Sequence, residues 1–226
     1  MAAAPQKIDY TNVDPSTLKN LPDDQLFELV REPMLSPTEA WKLKKSDTKS
    51  GLCIYTRSNP NPKIKFAQFL AVVSLPLTVA EACDLIHRAS SRLEWDSFMA
   101  TFMELRPDLV YFTTVPMGPL WGRSFIDKRI MRTLPDGTHV CACTSVESDL
   151  APTNSGLQRA WNYTNGVAII PTKTGCTFRM LACSDARGWM PQSVSEWGTP
   201  AALLRILSAM HAIAVKRAES KKSPVK

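Results

Sequence analysis

The side chains best suited to nucleophilic or metal chemistry are few in this 226-residue sequence: three histidines and six cysteines. His87 falls in a helical stretch, His139 opens a strand and His211 lies in the last helix. None stands in a motif with a nucleophile, and the G-x-S-x-G, H-E-x-x-H, G-x-G-x-x-G and Walker patterns are all absent. Each imidazole is therefore expected to be hydrogen-bonded inside the fold or exposed to water. Cys53, Cys83, Cys141, Cys143, Cys176 and Cys183 sit in apolar segments and form no C-x-x-C pair. That pattern suits small buried hydrophobes in a reducing compartment. Cys141 and Cys143 share one strand face, but zinc there would need histidine partners, which are not expected nearby. No catalysis, no metal and no cofactor are anticipated.

A second set of reactive types crowds W-G-R-S-F-I-D-K-R-I-M-R, residues 121–132. As a strand, this segment puts Phe125, Asp127, Arg129 and Met131 on one side. Ser124, Ile126, Lys128, Ile130 and Arg132 fall on the other. Both sides mix apolar residues with charges, although burying an unpaired charge costs on the order of several kcal/mol. Further on, alternation places Arg159, Trp161 and Tyr163 on one face. Arg92 and Asp96 stand four apart, which on an exposed helix face is a pair worth a few tenths of a kcal/mol.

The elements that must position these residues follow from periodicity. Residues 1–20 look loosely ordered. D-D-Q-L-F-E-L-V-R reads as a short helix capped by Asp23 and ended by the Pro33 to Pro37 stretch. Three strand-like segments follow: A-W-K-L-K-K, L-C-I-Y-T-R and K-F-A-Q-F-L-A-V-V-S-L. Thr78 and Glu81 form a capping-box pattern ahead of a helix whose apolar positions include Val79, Ala82, Cys83, Ile86 and Ala89. From Met99 to Cys183 the chain reads as successive strands separated by short turns. A long helix starts at Thr199 and Pro200, after an earlier turn at Gln192 to Trp197 bent at Gly198. It carries an apolar face of Leu203, Ile206, Leu207, Met210, Ile213 and Ala214.

Short connections imply a mostly antiparallel sheet. The fold class is therefore α+β: a curved antiparallel sheet wrapped around a long C-terminal helix, the helix-grip arrangement, with space for a cavity between them. Residues 1–37 read as an extension with a short helix, 38–217 as the domain and 218–226 as a basic tail.

Much of the excess behind the formal charge of +6 lies in K-R-A-E-S-K-K-S-P-V-K, from Lys216 onward. It would suit an anionic membrane surface, and with no zinc-finger, RNP or KH pattern, nucleic acid is not an expected partner. No apolar run approaches the roughly 20 residues of a membrane span, and the N-terminus lacks a signal-peptide core. The chain is read as a cytoplasmic, monomeric protein, peripheral at membranes.

Four segments resemble the START (StAR-related lipid transfer) domain family, over about residues 38–217. R-L-E-W-D at 92–96 resembles its Arg…Trp-Asp helix end. G-R-S-F-I-D-K-R at 122–129 resembles its R-D-F/Y-V-x-x-R strand, with Ser124 where Asp is usual. S-G-L-Q-R at 155–159 and D-A-R-G-W-M-P at 185–191 resemble its S-G-V-I-R strand opening and D-x-x-G-W-x-P link. The resemblance implies a carrier holding one lipid in an internal tunnel, with Phe125, Asp127 and Arg129 on the tunnel wall. It leaves open whether Asp127 and Arg129 meet lipid or only pair with other wall residues.

Phosphatidylcholine-binding members of the family place an Arg on the phosphate and aromatic residues around the choline. By that resemblance Arg92 grips phosphate, Asp96 steadies it, and Phe125, Tyr163 and Tyr111 enclose the head, with Phe112 as a substitute for Tyr111. Arg159 and Trp161 accompany Tyr163. Arginine forks suit phosphate, and an aromatic face attracts a quaternary ammonium by roughly 0.5–2 kcal/mol. Sterol-binding members use an acid–base pair in the cavity, and here the position opposite Arg129 reads as aromatic, near Phe112. A phospholipid such as phosphatidylcholine is the expected ligand. The alternatives are a START domain sensing a sterol, ceramide or fatty acid, and an interaction module that carries nothing. The gate is expected in the final helix or in the loop before Pro119 and Trp121.

Overall fold

Strand segments separated by tight turns build one large, mainly antiparallel sheet in the computed structural model, which describes residues 9–116, 122–152, 156–188 and 192–222. Its strands are β1 (Lys42–Asp47), β2 (Leu52–Arg57), β3 (Gln68–Leu75), β4 (Met99–Arg106), β5 (Leu109–Thr114), β6 (Arg123–Thr133), β7 (His139–Ser145), β8 (Gln158–Arg159), β10 (Asn165–Thr172) and β11 (Gly175–Ala182). They run in the order β1-β2-β3-β11-β10-β7-β6-β5-β4, with β8 parallel to β6. The short strands β9 (Trp161–Asn162) and β12 (Ser184–Asp185) pair separately. Helices α1 (Asp23–Leu35), α2 (Val79–His87), α3 (Ala89–Trp95) and α4 (Gln192–Lys222) cover the faces.

Alternation along the strands makes two cores. On the inner face Leu52, Ile54, Phe69, Ala71, Val73 and Phe178 pack against Leu203, Ile206, Leu207 and Met210 of α4 and Ala82, Leu85 and Ile86 of α2. On the outer face Leu70, Ile130, Val140, Ala142, Ala168 and Leu181 meet Leu26, Phe27, Val30 and Met34 of α1. Each such large apolar side chain contributes about 1.5–3 kcal/mol by leaving water. The capping box holds: Thr78 Oγ1 accepts from Glu81 N at 3.3 Å, and Glu81 Oε2 accepts from Thr78 N at 2.8 Å.

The expected boundary at residue 38 is not a seam. The outer face of the sheet is apolar and needs a cover, which α1 supplies. Nor are residues 10–20 loose, because they form two 3-10 turns and Leu18 is fully buried beside Ile64 and Cys183. Asp23 does not cap α1; it sits in the first turn and accepts from Lys128 Nζ at 2.5 Å. The helix also continues through Pro33, which gives up only one backbone bond.

Helix α4 is a single element from Gln192, running through Gly198 and Pro200 rather than starting at Thr199. It rests on β1, β2 and β3 and on α3, while α3 rests on β4, so the helices bridge both margins of the sheet. Its last turns are tied down by Arg217 to Asp84 (3.5 Å) and Glu94 (3.0 Å) and by Lys221 to Glu81. The expected tail is therefore helical through Lys222. Residues 196–221 are long and apolar enough to span a bilayer, yet Leu203, Ile206, Leu207, Met210 and Ala214 lie in the core.

Candidate functional site

Strand β6 answers its own charge problem by separate partnerships. Its register sets Arg129 opposite Cys143 and Met131 opposite Cys141, a residue of the inner core, so Phe125, Asp127 and Arg129 face inward. Asp127 is wholly buried and accepts from Ser145 Oγ at 2.7 Å and from Asn162 Nδ2 at 2.6 Å. Burial pushes its carboxyl up to about 6, against the opposing pull of those two hydrogen bonds. Arg129 donates from Nε to the Pro107 carbonyl at 3.0 Å and forms an ion pair with Glu104. Asp127 and Arg129 thus do not pair with each other.

Glu104 corrects one expectation. The position serving Arg129 is not merely aromatic, because β4 brings a carboxylate across β5. Glu104 pairs with Val110, and Val110 with Asp127, in the cross-strand register. Sequence reading missed it, although Glu104 alternates with Phe102 on the same strand.

The aromatic expectation divides between the two faces. Phe102, Phe112 and Phe125 form a row across β4, β5 and β6, with centroids 6.4 and 4.7 Å apart and rings within 26° and 10° of parallel. Tyr111, one residue from Phe112, necessarily points the other way and packs with Leu109 and Ile126 on the outer face. Phe112 takes the inward position instead. Arg159, Trp161 and Tyr163 do share a face, but it is also the outer one. The Arg159 guanidinium lies 5.9 Å from the Tyr111 ring, and Trp161 lies between Lys19 and Arg187. Tyr163 stacks on Phe66 at 6.1 Å, in a cluster with Leu18, Ile64 and Cys183. The inward member of that segment is Asn162. Of the three expected cage residues, only Phe125 lies on the inner wall.

The R-L-E-W-D segment builds a corner at the end of α3. Trp95 is buried and donates its indole N–H to the Leu85 carbonyl at 3.0 Å, locking α3 to α2. Arg92 lies over the Trp95 ring at 4.2 Å and donates from Nε and Nη2 to Asp96 Oδ2 at 3.2 and 2.9 Å. With side-chain exposures of 14% and 6%, this is an enclosed ion pair rather than a solvated helix-surface pair.

Beside these cations lies a cluster that sequence reading did not anticipate. His87 and His139 meet edge to face at 5.3 Å, and Cys83, one turn before His87, joins them. Histidine partners do therefore stand near Cys141, which sits one inward position beyond His139 on β7. Nε2 of each imidazole is buried without a hydrogen-bond partner among the described residues, contrary to the expectation of satisfied or exposed histidines. Burial, then His139, Arg129 and Arg92, push His87 down to about 3, so its ring is neutral. The cluster was hard to foresee because α2 and β7 meet only through the packing of α2 on the sheet.

A groove of about 370 Å³ opens at the other margin, between Lys42, Lys44, Thr56, Arg57 and Phe69 of the sheet and Glu196 of α4. The expected gate loop at 117–121 lies outside the described residues, as do Ser155 and Trp189–Pro191 of two motifs.

A sheet gripping a long helix, with polar groups held on its inner wall, defines an α+β domain of the helix-grip type. The family model for the START domain matches residues 26–214, and the chain belongs to that family. Human StAR-related lipid transfer protein 5 is similar in fold at 23% identity and TM-score 0.75, covering 86% of this chain and 97% of that one. Human STARD10 is similar at 21% identity and TM-score 0.74, covering 89% and 83%. A STAR-related lipid transfer protein fragment from Xanthomonas axonopodis is similar at 16% identity and TM-score 0.66, covering 78% and 99%. No curated protein matches the sequence.

Proposed function

We propose that the protein holds one lipid against the β4–β7 half of the inner face of the sheet and moves it between membranes unchanged, as a cytoplasmic monomer that visits membrane surfaces. The observation that carries the reading is the enclosed Arg92–Asp96 pair on the β4 side of the interior. A guanidinium fixed on one side by a carboxylate is preorganised for a second anion, such as a lipid phosphate. Arg92 and Arg129 both depress the ionisation of His87, which supports a positive interior region near that ring. The Phe102–Phe112–Phe125 row supplies an apolar surface beside it.

Moving acyl chains from a bilayer to an apolar tunnel is close to isoenergetic, whereas exposing them costs about 0.8 kcal/mol per methylene. Transfer therefore requires opening at the membrane, and head selectivity must come from the polar wall. The ligand class best supported is a phospholipid. Phosphatidylcholine stays a candidate on Arg92 and Phe125 alone, since Tyr111 and Tyr163 offer no inward ring. One observation favours a second reading: the Glu104–Arg129 pair is an acid–base couple of the kind that a sterol hydroxyl would meet.

Native mass spectrometry of the purified protein after incubation with mixed phospholipid and sterol vesicles tests both. One phospholipid per chain, lost in Arg92→Leu, supports the first reading. Bound sterol lost in Glu104→Gln supports the second. No stoichiometric lipid of any class would remove the carrier reading.

A further inference from the structure

We propose that Cys83, His87 and His139 form a binding site for a zinc ion, beside the cations of the proposed lipid site and independent of any assignment of the lipid. One ligand atom from each of the three residues lies within 4.8 Å of those of the other two. Tetrahedral zinc holds nitrogen at about 2.0–2.1 Å and thiolate at about 2.3 Å, so its donors stand roughly 3.3–3.7 Å apart. Closure therefore asks each side chain to move by about an ångström or less, within the reach of χ rotation.

The supporting elements are stiff. Cys83 and His87 are one turn apart on α2, so they project from one face of that helix. The helix is fixed at its start by the Thr78–Glu81 box and along its side by Arg217 and Lys221. His139 opens β7, in register with Thr133 on one side and Ile169 on the other.

The chemistry of the donors agrees. The Nε2 atoms of His87 and His139 are buried and lack a hydrogen-bond partner among the described residues, and an unmet polar atom in the interior is unfavourable unless something coordinates it. Burial keeps the His87 ring neutral, as a metal ligand must be. The Cys83 thiol is pushed up to about 11 by burial and by Cys141, so it is protonated without metal, and coordination would deprotonate it. The neighbouring cations do not repel the ion unopposed, because Arg92 is paired with Asp96 and Arg129 with Glu104. Two imidazoles and one thiolate suit zinc and leave its fourth position open.

The test uses the full chain after chelator treatment, titrated with cobalt(II) as a spectroscopic stand-in and then with zinc. The expected result is one cobalt per chain, with tetrahedral visible bands and a thiolate charge-transfer band in the near ultraviolet, both abolished by zinc. Cys83→Ser should remove the charge-transfer band. Changes outside the ligand set cost about 10- to 100-fold in affinity, so His87→Gln and His139→Gln should each cost at least about 100-fold. Cys53→Ser should change nothing. A readout without mutation guards against variants that fold poorly: zinc should shield Cys83 of the wild type from alkylation, read by peptide mass spectrometry. Absence of cobalt and zinc binding at micromolar metal would overturn the proposal, as would an alkylation rate at Cys83 that zinc leaves unchanged.

Discussion

The two halves of the inner wall are built from the same strands and alternation but do opposite things. Across β2, β3, β10 and β11 the inward residues are Leu52, Ile54, Phe69, Val73, Ile169 and Phe178, closed over by α2 and α4. Across β4 to β7 they include Phe102, Glu104, Phe112, Phe125, Asp127, Arg129 and His139, whose polar members are satisfied by specific partners or left unmet. One half is a sealed core that supplies stability. The other exchanges part of that stability for groups that can recognise something.

The largest effect that could break this comparison lies in the sealed half. Phe178→Ala should cost about 3–5 kcal/mol in urea unfolding, the range for a large core aromatic. A loss below about 1 kcal/mol would mean that this half is open, because an unpacked side chain leaves no cavity. In the polar half, the first test is acid sensitivity. The folded His87 value near 3 lies below the ordinary 6.5, so the unfolded chain takes up the proton first. Stability is therefore lost as pH falls from about 6.5 towards 3, by an amount on the order of 3–5 kcal/mol. His87→Gln should flatten that limb.

Asp127 works in the opposite sense. Its folded value near 6 exceeds the ordinary 3.8, so stability falls as pH rises between those values. The slope amounts to about 3 kcal/mol across the window and should vanish in Asp127→Asn. That variant also sets an amide against Asn162, a constant penalty that leaves the slope readable. Comparing both variants with wild type separates the two limbs, and parallel pH profiles for all three would show that neither group is buried in its assigned state.

A smaller effect concerns binding. Arg92→Leu should weaken phospholipid binding by about 1.5–3 kcal/mol, the scale of a charge-assisted hydrogen bond, with only partial rescue by Lys. Smallest of all, Tyr163→Leu should leave the choline-over-ethanolamine ratio unchanged in vesicle transfer, because the ring stacks on Phe66 outside the sheet. A flattened ratio would return Tyr163 to the inner wall.

Local rules explain what was legible. The Thr78 box, the apolar face of α4, the inward grouping of Phe125, Asp127 and Arg129, and the family motifs all depend on neighbours within a turn or a strand. Alternation says which residues share a face but not which face that is. Arg159, Trp161 and Tyr163 were therefore grouped correctly and yet assigned to the wrong side, and a one-residue choice between Tyr111 and Phe112 inverted another ring. Glu104 with Arg129, and His87 with His139, meet through register and helix placement across 25 and 52 residues (129 − 104 and 139 − 87). No local pattern encodes such meetings. The packing of α1, which lies before residue 38, was illegible for a related reason: an outer apolar face becomes visible only once the sheet is assembled.

The fastening of α4 at one end gives it the mechanics of a lever. Arg217 and Lys221 clamp its last turns to α2 and α3, while its first turn lies at the far margin of the sheet. At about 1.5 Å per residue, Gln192 is roughly 37 Å from Arg217, so a rigid swing of about 10° at the clamp displaces the first turn by roughly 6 Å. The groove beside Glu196 lies at that end, as does Trp197, 82% exposed. A small angular change at the charged clamp is thus converted into its greatest width where an indole already faces outward.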